Sequence, residues 1–239
     1  MIQFQALEKK YGDFTALHPL TFEVKKGEVF GFLGPNGAGK TTTIRMAMGI
    51  LVPTAGHILV DGLDCHKDQV EVKRRIGYLP DEPQFYDYLK AREILEFVGE
   101  IHGLSKKEAR RRALELLEEY GLKDATEEFA VNYSMGMKKR LGLAMAMIHE
   151  PKLLILDEPI NGLDPRGAHE IQNKMKDFAN KGGTVFLSTH LLNLAEKICN
   201  RVCIIDQGKM RVIDSVENLR HQLLPGGTLE DIFLKVVES

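Results

Sequence analysis

Tryptophan is absent from the 239 residues, and cysteine occurs only three times. Cys65, Cys199 and Cys203 cannot all pair and have no second cluster at metal-ligand spacing, so neither a disulfide scaffold nor a zinc site is expected. Cys199 and Cys203 read instead as core packing in a reducing compartment. Also missing is any run near the roughly 18–20 consecutive apolar residues that cross a bilayer. The opening MIQFQALEKKYGD alternates in polarity and turns charged early, without the apolar centre of a signal peptide. The expectation is a cytoplasmic chain that serves a membrane only if another polypeptide supplies the span. An excess of one charge is lacking too: 32 basic and 34 acidic residues leave a net charge of -2, so no nucleic-acid partner is expected. The remainder is ordinary for a globular protein, with 44% hydrophobic and 28% charged residues. That length can bury one large α/β core.

Short apolar or alternating runs at 2–7, 21–24, 28–33 and 57–60 predict a β-rich start. Helical spacing predicts helices at 41–49, 91–102, 105–120 and 136–149. The third opens with a capping box of Ser105 and Glu108. The basic run 110–112 falls on its solvated face. Compact apolar runs at 153–157, 184–188 and 202–206 predict buried, mainly parallel strands, and short helices follow at 215–222 and 228–237. The reading is one α/β domain over 1–239, with a helical lobe inserted at about 85–150.

The strongest signal is Gly34, Pro35, Asn36, Gly37, Ala38, Gly39, Lys40, Thr41 and Thr42, which fits G-x-x-x-x-G-K-[ST] between a strand and a helix. The glycines let the backbone turn tightly and aim N–H groups at phosphate oxygens, with the positive end of the next helix behind them. Lys40 suits the β- and γ-phosphates, and the Thr41 hydroxyl suits Mg²⁺. This loop alone leaves kinases, GTPases and motor ATPases open.

A second motif ends the apolar run 153–157 in Asp157, followed by Glu158 and Pro159. Asp157 at a strand end could hold Mg²⁺ through a water, and Glu158 could act as general base or orient the attacking water. Alone, the same residues could form a simple turn; together with the phosphate loop they favour catalysis.

Between the two motifs lies the segment 133–140, YSMGMKKR; after them come NGLDP at 161–165 and LSTH at 187–190. The order resembles the ATP-binding cassette of ABC transporters: Walker A, Q-loop, signature, Walker B, D-loop and H-loop, over essentially the whole chain. The resemblance implies a P-loop ABC cassette in which a mainly parallel core sheet is joined by an N-terminal antiparallel β subdomain and the inserted helical lobe. It implies that Tyr11 stacks on adenine, that Ser134 and Gly136 touch the γ-phosphate of ATP held by an opposite cassette, and that Asp164 crosses between cassettes. His190 then senses the γ-phosphate. The implied activity is Mg²⁺-dependent ATP hydrolysis by a head-to-tail dimer, homomeric or heteromeric, that drives a separate integral-membrane permease from the cytoplasmic face.

Two departures stand out. The usual signature Leu-Ser-Gly-Gly-Gln carries Tyr133, Met135 and Met137 here, although Ser134 and Gly136 remain. The Q-loop glutamine is replaced by Asp81, with Glu82 after it and Gln84 three places on. A carboxylate at Asp81 could bind Mg²⁺ but cannot donate a hydrogen bond as an amide does. This acid, with the following QFYDYL at 84–89, resembles the branch that works with small export-type permeases. Two rivals are a soluble ABC ATPase acting on ribosomes or DNA and a cassette that binds ATP without hydrolysing it. Against the first stand the single cassette, the lack of a heptad tract and the lack of net basic charge. Against the second stand Lys40, Thr41, Asp157, Glu158 and His190.

Overall fold

The computed structural model describes residues 1–223 and 227–237. They form two compact units, one of Met1–Lys73 with Met175–Ser239 and one of Arg74–Lys174.

The first unit opens with the antiparallel strands β1 (Ile2–Tyr11) and β2 (Phe14–Val24). Strand β3 (Val29–Leu33) and helix α1 (Lys40–Ala47) follow, then β4 (Ala55–Val60), β5 (Leu63–Asp64) and α2 (Gln69–Lys73). Four of these strands make an antiparallel sheet in the order β2-β1-β4-β5. Strand β2 starts seven residues before the expected run at 21–24. Its Pro19 interrupts the sequence pattern, yet the strand lies at the sheet edge, where a missing N–H is tolerated. The register shifts opposite that stretch, and Ala6 on β1 takes a left-handed φ of 47°.

In the second unit β6 (Ile76–Leu79) precedes α3 (Ala91–Ile101), α4 (Lys106–Glu119) and α5 (Met135–Met147). Strand β7 (Leu153–Asp157) then pairs parallel with β6, and α6 (Pro165–Asn180) begins. The expected capping box is present: Ser105 Oγ accepts from the Glu108 N–H at 3.3 Å, and the Glu108 carboxylate accepts from the Ser105 N–H at 3.1 Å. Beside these helices the rings of His102 and His149 stack at 3.8 Å.

The chain re-enters the first unit as β8 (Thr184–Thr189), α7 (Leu192–Ile198), β9 (Arg201–Asp206), β10 (Lys209–Ser215), α8 (Val216–Leu223) and α9 (Leu229–Val237). Strand β3 pairs parallel with β8 on one side and β9 on the other, and β10 closes antiparallel on β9. Antiparallel strands at the N-terminus and parallel strands around β3 and β7 give the α/β class expected.

Phenylalanines lock β3 in place. Phe22 stacks over Phe4 at 4.2 Å, over Phe30 at 5.6 Å and over Phe32 at 5.7 Å. Phe186 of β8 packs on Phe30 at 5.9 Å and on Phe32 at 5.5 Å. Each such ring contributes on the order of 1.5–3 kcal/mol by burial, with more from the aromatic pairing. Leu33 joins a further core with Val202 and Ile204 of β9 and Leu219, Leu229 and Ile232 of the terminal helices. A strand held by two cores gives the loop after it a fixed origin.

Candidate functional site

All five residues of β3 are buried, and the 34–42 loop starts where it ends. A Cβ on Gly34 would lie 2.3 Å from the Ile205 carbonyl oxygen of β9, so no other residue fits without movement. Gly37 (φ 82°) and Gly39 (φ 105°) hold conformations that L side chains resist. Gly39 is the N-cap of α1 and supplies no side-chain acceptor, and the first turn contains no acid. The start of this helix therefore presents donor N–H groups and a positive dipole end. Lys40, only 6% exposed, reaches back to donate to the carbonyls of Gly34 (2.8 Å) and Pro35 (3.2 Å).

Neighbours brace the loop from behind. A Cβ on Gly39 would meet Leu17 Cδ1 at 3.1 Å and the Ala16 carbonyl at 3.2 Å. The Gly208 N–H donates to the Ala38 carbonyl at 3.1 Å, and the His18 N–H donates to the Gly208 carbonyl at 2.8 Å. Two residues before Ala16, at the turn between β1 and β2, Tyr11 pairs with Phe14. Both rings are exposed, and the Lys9 ammonium lies 4.9 Å from the Tyr11 ring centre. The strand that backs Gly39 thus begins beside an exposed aromatic pair, Tyr11 of β1 and its own Phe14, on which a base can stack.

His190 follows β8. Because Thr189 pairs with Leu33, the 34–42 loop and His190 leave the same end of adjacent parallel strands. His190 is exposed, and the N–H of the next residue, Leu191, is held by Thr189 Oγ1 at 3.1 Å.

In the second unit every residue of β7 is buried, including Asp157, and Glu158 is nearly so. Glu158 has a φ of 45°, left-handed and rare for a non-glycine residue. Its carbonyl accepts from the Asn161 N–H at 3.2 Å and from the Lys139 ammonium at 2.8 Å. Lys139 also donates to the Asp81 carbonyl and sits 3.3 Å from Asp81 Oδ1. The acid at the Q-loop position is therefore salt-bridged. The sequence singled out Asp81 and Glu158 but not the lysine that joins them.

Ser134 is the N-cap of α5, its Oγ accepting from the Met137 N–H at 3.3 Å, and Gly136 lies in the first turn. Tyr133 has a physical reason to replace leucine. It is buried, and its hydroxyl donates to the Ala125 carbonyl at 2.7 Å, anchoring the approach to the helix. Met135 is exposed instead, its Cγ 3.6 Å from where a Cβ on Gly162 would stand. Asp164 caps α6: its Oδ1 accepts from the Gly167 N–H at 2.9 Å, with Pro165 at the first helical position.

Each unit offers an oxygen donor of the kind Mg²⁺ takes: a threonine hydroxyl in the first turn of α1 in the first, and the Asp157 carboxylate at a strand end in the second. Among the described residues no group of three or more His, Cys, Asp or Glu is placed to hold a metal ion. All three cysteines are free thiols, and burial pushes Cys65 up to about 12 and Cys199 and Cys203 higher still. No helix among the described residues is long and apolar enough to cross a membrane.

The ABC transporter family profile matches residues 17–161. The chain belongs to the ABC transporter family. It is 40% identical over 223 residues to the linearmycin resistance ATP-binding protein LnrL of Bacillus subtilis, covering 93% of this chain and 72% of that one. It is 43% identical over 211 residues to the bacitracin transport ATP-binding protein BcrA of Bacillus licheniformis, covering 88% and 68%. A solved ATP-binding subunit of an ABC transporter superposes with a TM-score of 0.92 at 32% identity, covering 99% of each chain. An ATP-binding cassette solved as a post-hydrolysis dimer with ADP and Pi superposes with a TM-score of 0.82 at 25% identity, covering 90% of this chain and 98% of that one. The cassette is an ATP-hydrolysing transporter subunit, and its relatives place it in the export-type branch to which its 81–89 segment points.

Proposed function

We propose that two copies of this cassette close head-to-tail around two ATP and drive a separate integral-membrane permease, docked at the cytoplasmic face of the membrane. One observation carries the reading. A single chain holds two helix starts built for anions, α1 behind Gly39 and α5 behind Ser134 and Gly136, in different compact units. The first suits the nucleotide that the chain binds itself, and the second suits the γ-phosphate of a partner's nucleotide. A cassette with both half-sites can form a symmetric pair.

In this reading the whole chain, 1–239, acts as one ATPase domain with its helical lobe at about 85–150. The backbone of 34–42 and Lys40 cradle the phosphates, and Tyr11 stacks on the adenine. Thr41 and Asp157 would hold Mg²⁺, with Asp81 a third candidate through the part of its carboxylate that Lys139 leaves exposed; the ion would supply neutralisation of phosphate charge. Glu158 takes a proton from the attacking water or orients it, His190 senses the γ-phosphate, and Asp164 crosses to the partner. After the γ-phosphate is cut, charge sits on two separating products and the bridge between copies weakens, so the dimer opens.

Glu158→Gln tests this. The variant is expected to retain ATP, to run as a dimer on size-exclusion chromatography in ATP, and to lose turnover by about 10²–10⁴-fold. Turnover at the parent rate overturns the assignment of Glu158.

A further inference from the structure

Lys139 is the most deeply buried charged side chain of the second unit, 1% exposed, whereas the Asp81 side chain it meets is 44% exposed. A buried ammonium is tolerated only when its three protons find acceptors. Here they do: the Asp81 carbonyl, the Asp81 carboxylate and the Glu158 carbonyl surround it. Burial holds the lysine's pKa below its usual value, and the charges of Asp81, Asp157 and Glu158 offset that only in part. The lysine therefore joins the Asp81 loop to the Glu158 backbone, although it belongs to α5, five residues after Ser134.

Its grip on Glu158 has a mechanical meaning. A glutamate at φ 45° stays there only if its surroundings hold it. The Glu158 carbonyl is fixed by two donors, the Asn161 N–H from its own turn and the Lys139 ammonium from another element. Loss of the second frees the peptide to relax and swings the carboxylate with it. A displacement of about 1 Å at a reacting group lowers rate by as much as about 10²-fold.

We propose that Lys139 is a positioning residue for hydrolysis: from the signature helix, its ammonium holds the backbone of Glu158 and the Asp81 loop in the one arrangement that aims the Glu158 carboxylate. The helix that reads a partner's nucleotide, the loop at the Q-loop position and the hydrolytic acid are thereby tied through a single side chain. The proposal rests on the reading of Glu158 as the group that handles the attacking water.

The test compares Lys139→Met and Lys139→Gln in the full chain, alone and with Glu158→Gln, by steady-state ATPase, fluorescent-nucleotide binding and thermal melting. Lys139→Met is expected to lower kcat by about tenfold or more, with KM and nucleotide Kd within about twofold of the parent. Lys139→Gln, whose amide still donates to a carbonyl, is expected to recover part of kcat; it carries the test if the methionine variant fails to fold. In the Glu158→Gln background neither change should lower turnover further, since both act on one group. Parental kcat in both lysine variants overturns the proposal. So does a fall in kcat matched by an equal loss of nucleotide affinity, or a fall that multiplies with that of Glu158→Gln. Failure of the Glu158 reading shows separately, as parental turnover in Glu158→Gln alone.

Discussion

Gly34 and Gly37 belong to the same phosphate-binding loop, yet adding one methyl group to each should have different consequences. At Gly34 the new Cβ would stand 2.3 Å from the Ile205 carbonyl oxygen, with the Ala38 Cβ and Ile205 Cγ2 both at 3.0 Å. A relaxed carbon–oxygen contact needs about 3.3 Å, so roughly 1 Å of movement is required. Ile205 cannot supply it cheaply, because β9 is bonded to β10 at Ile205 itself and to β3 at Ile204. The phosphate loop therefore has to shift. Overpacking of this kind costs about 1–3 kcal/mol. If most of that falls on the binding geometry, ATP affinity drops about 10–100-fold. At Gly37 nothing lies within 4 Å, and only the φ of 82° opposes alanine. That strain is about 1–2 kcal/mol and is spread over an exposed turn. Titration with a fluorescent ATP analogue, alongside thermal melting, should place Gly34→Ala well below Gly37→Ala in affinity. Parental affinity in Gly34→Ala, or a larger loss in Gly37→Ala, would refute the claim that the β9 backbone sets the position of the loop.

Tyr133→Phe deletes a buried hydroxyl and strands the Ala125 carbonyl; a loss of about 1–2 kcal/mol should appear as a lower urea midpoint with ATP affinity retained. Tyr11→Ala should weaken nucleotide binding by about 1–3 kcal/mol while Tyr11→Phe keeps it, and equal losses in the two would contradict a stacking role. Acid should weaken the second unit. Burial, then the neighbouring His102, pulls the His149 imidazole from 6.5 to about 4, and His102 is lowered too. The unfolded chain therefore binds more protons across that window, so stability is complete above pH 6.5 and declines as pH falls towards about 4. Melting temperatures at pH 7.5 and pH 5 should diverge in the parent and converge in His149→Phe.

Strands and helices with clean periodicity were legible in the sequence. Helix α4 falls where Ser105 and Glu108 announced it, and α3 ends with His102 as its C-cap. Strand β10 was not legible: its LysMetArgValIleAsp pattern is half exposed and is set by pairing with β9, an energy that no local window contains. The glycine loop was legible because its constraint is local, in φ at Gly37 and Gly39. The clash that demands glycine at Gly34 comes instead from Ile205, far along the chain.

Lys139 shows the same limit at the site itself. Within the run Lys138, Lys139 and Arg140 it reads as part of a solvated face, because a helix with an apolar stripe at Leu141, Ala144, Met145 and Ile148 should leave its other side wet. Helix α5 does not obey that pattern. Leu141, Gly142, Leu143 and Ala144 are buried in succession, which covers every direction around the helix. A Cβ on Gly142 would meet Leu79 Cδ1 of β6 at 2.6 Å, so the contact is closer than a side chain allows. A cation buried on such a helix must find acceptors, and Lys139 finds them in the Asp81 loop and at the end of β7. The residues that make α5 small and apolar therefore bring Lys139 to Glu158, through packing that appears only once the strands are in place.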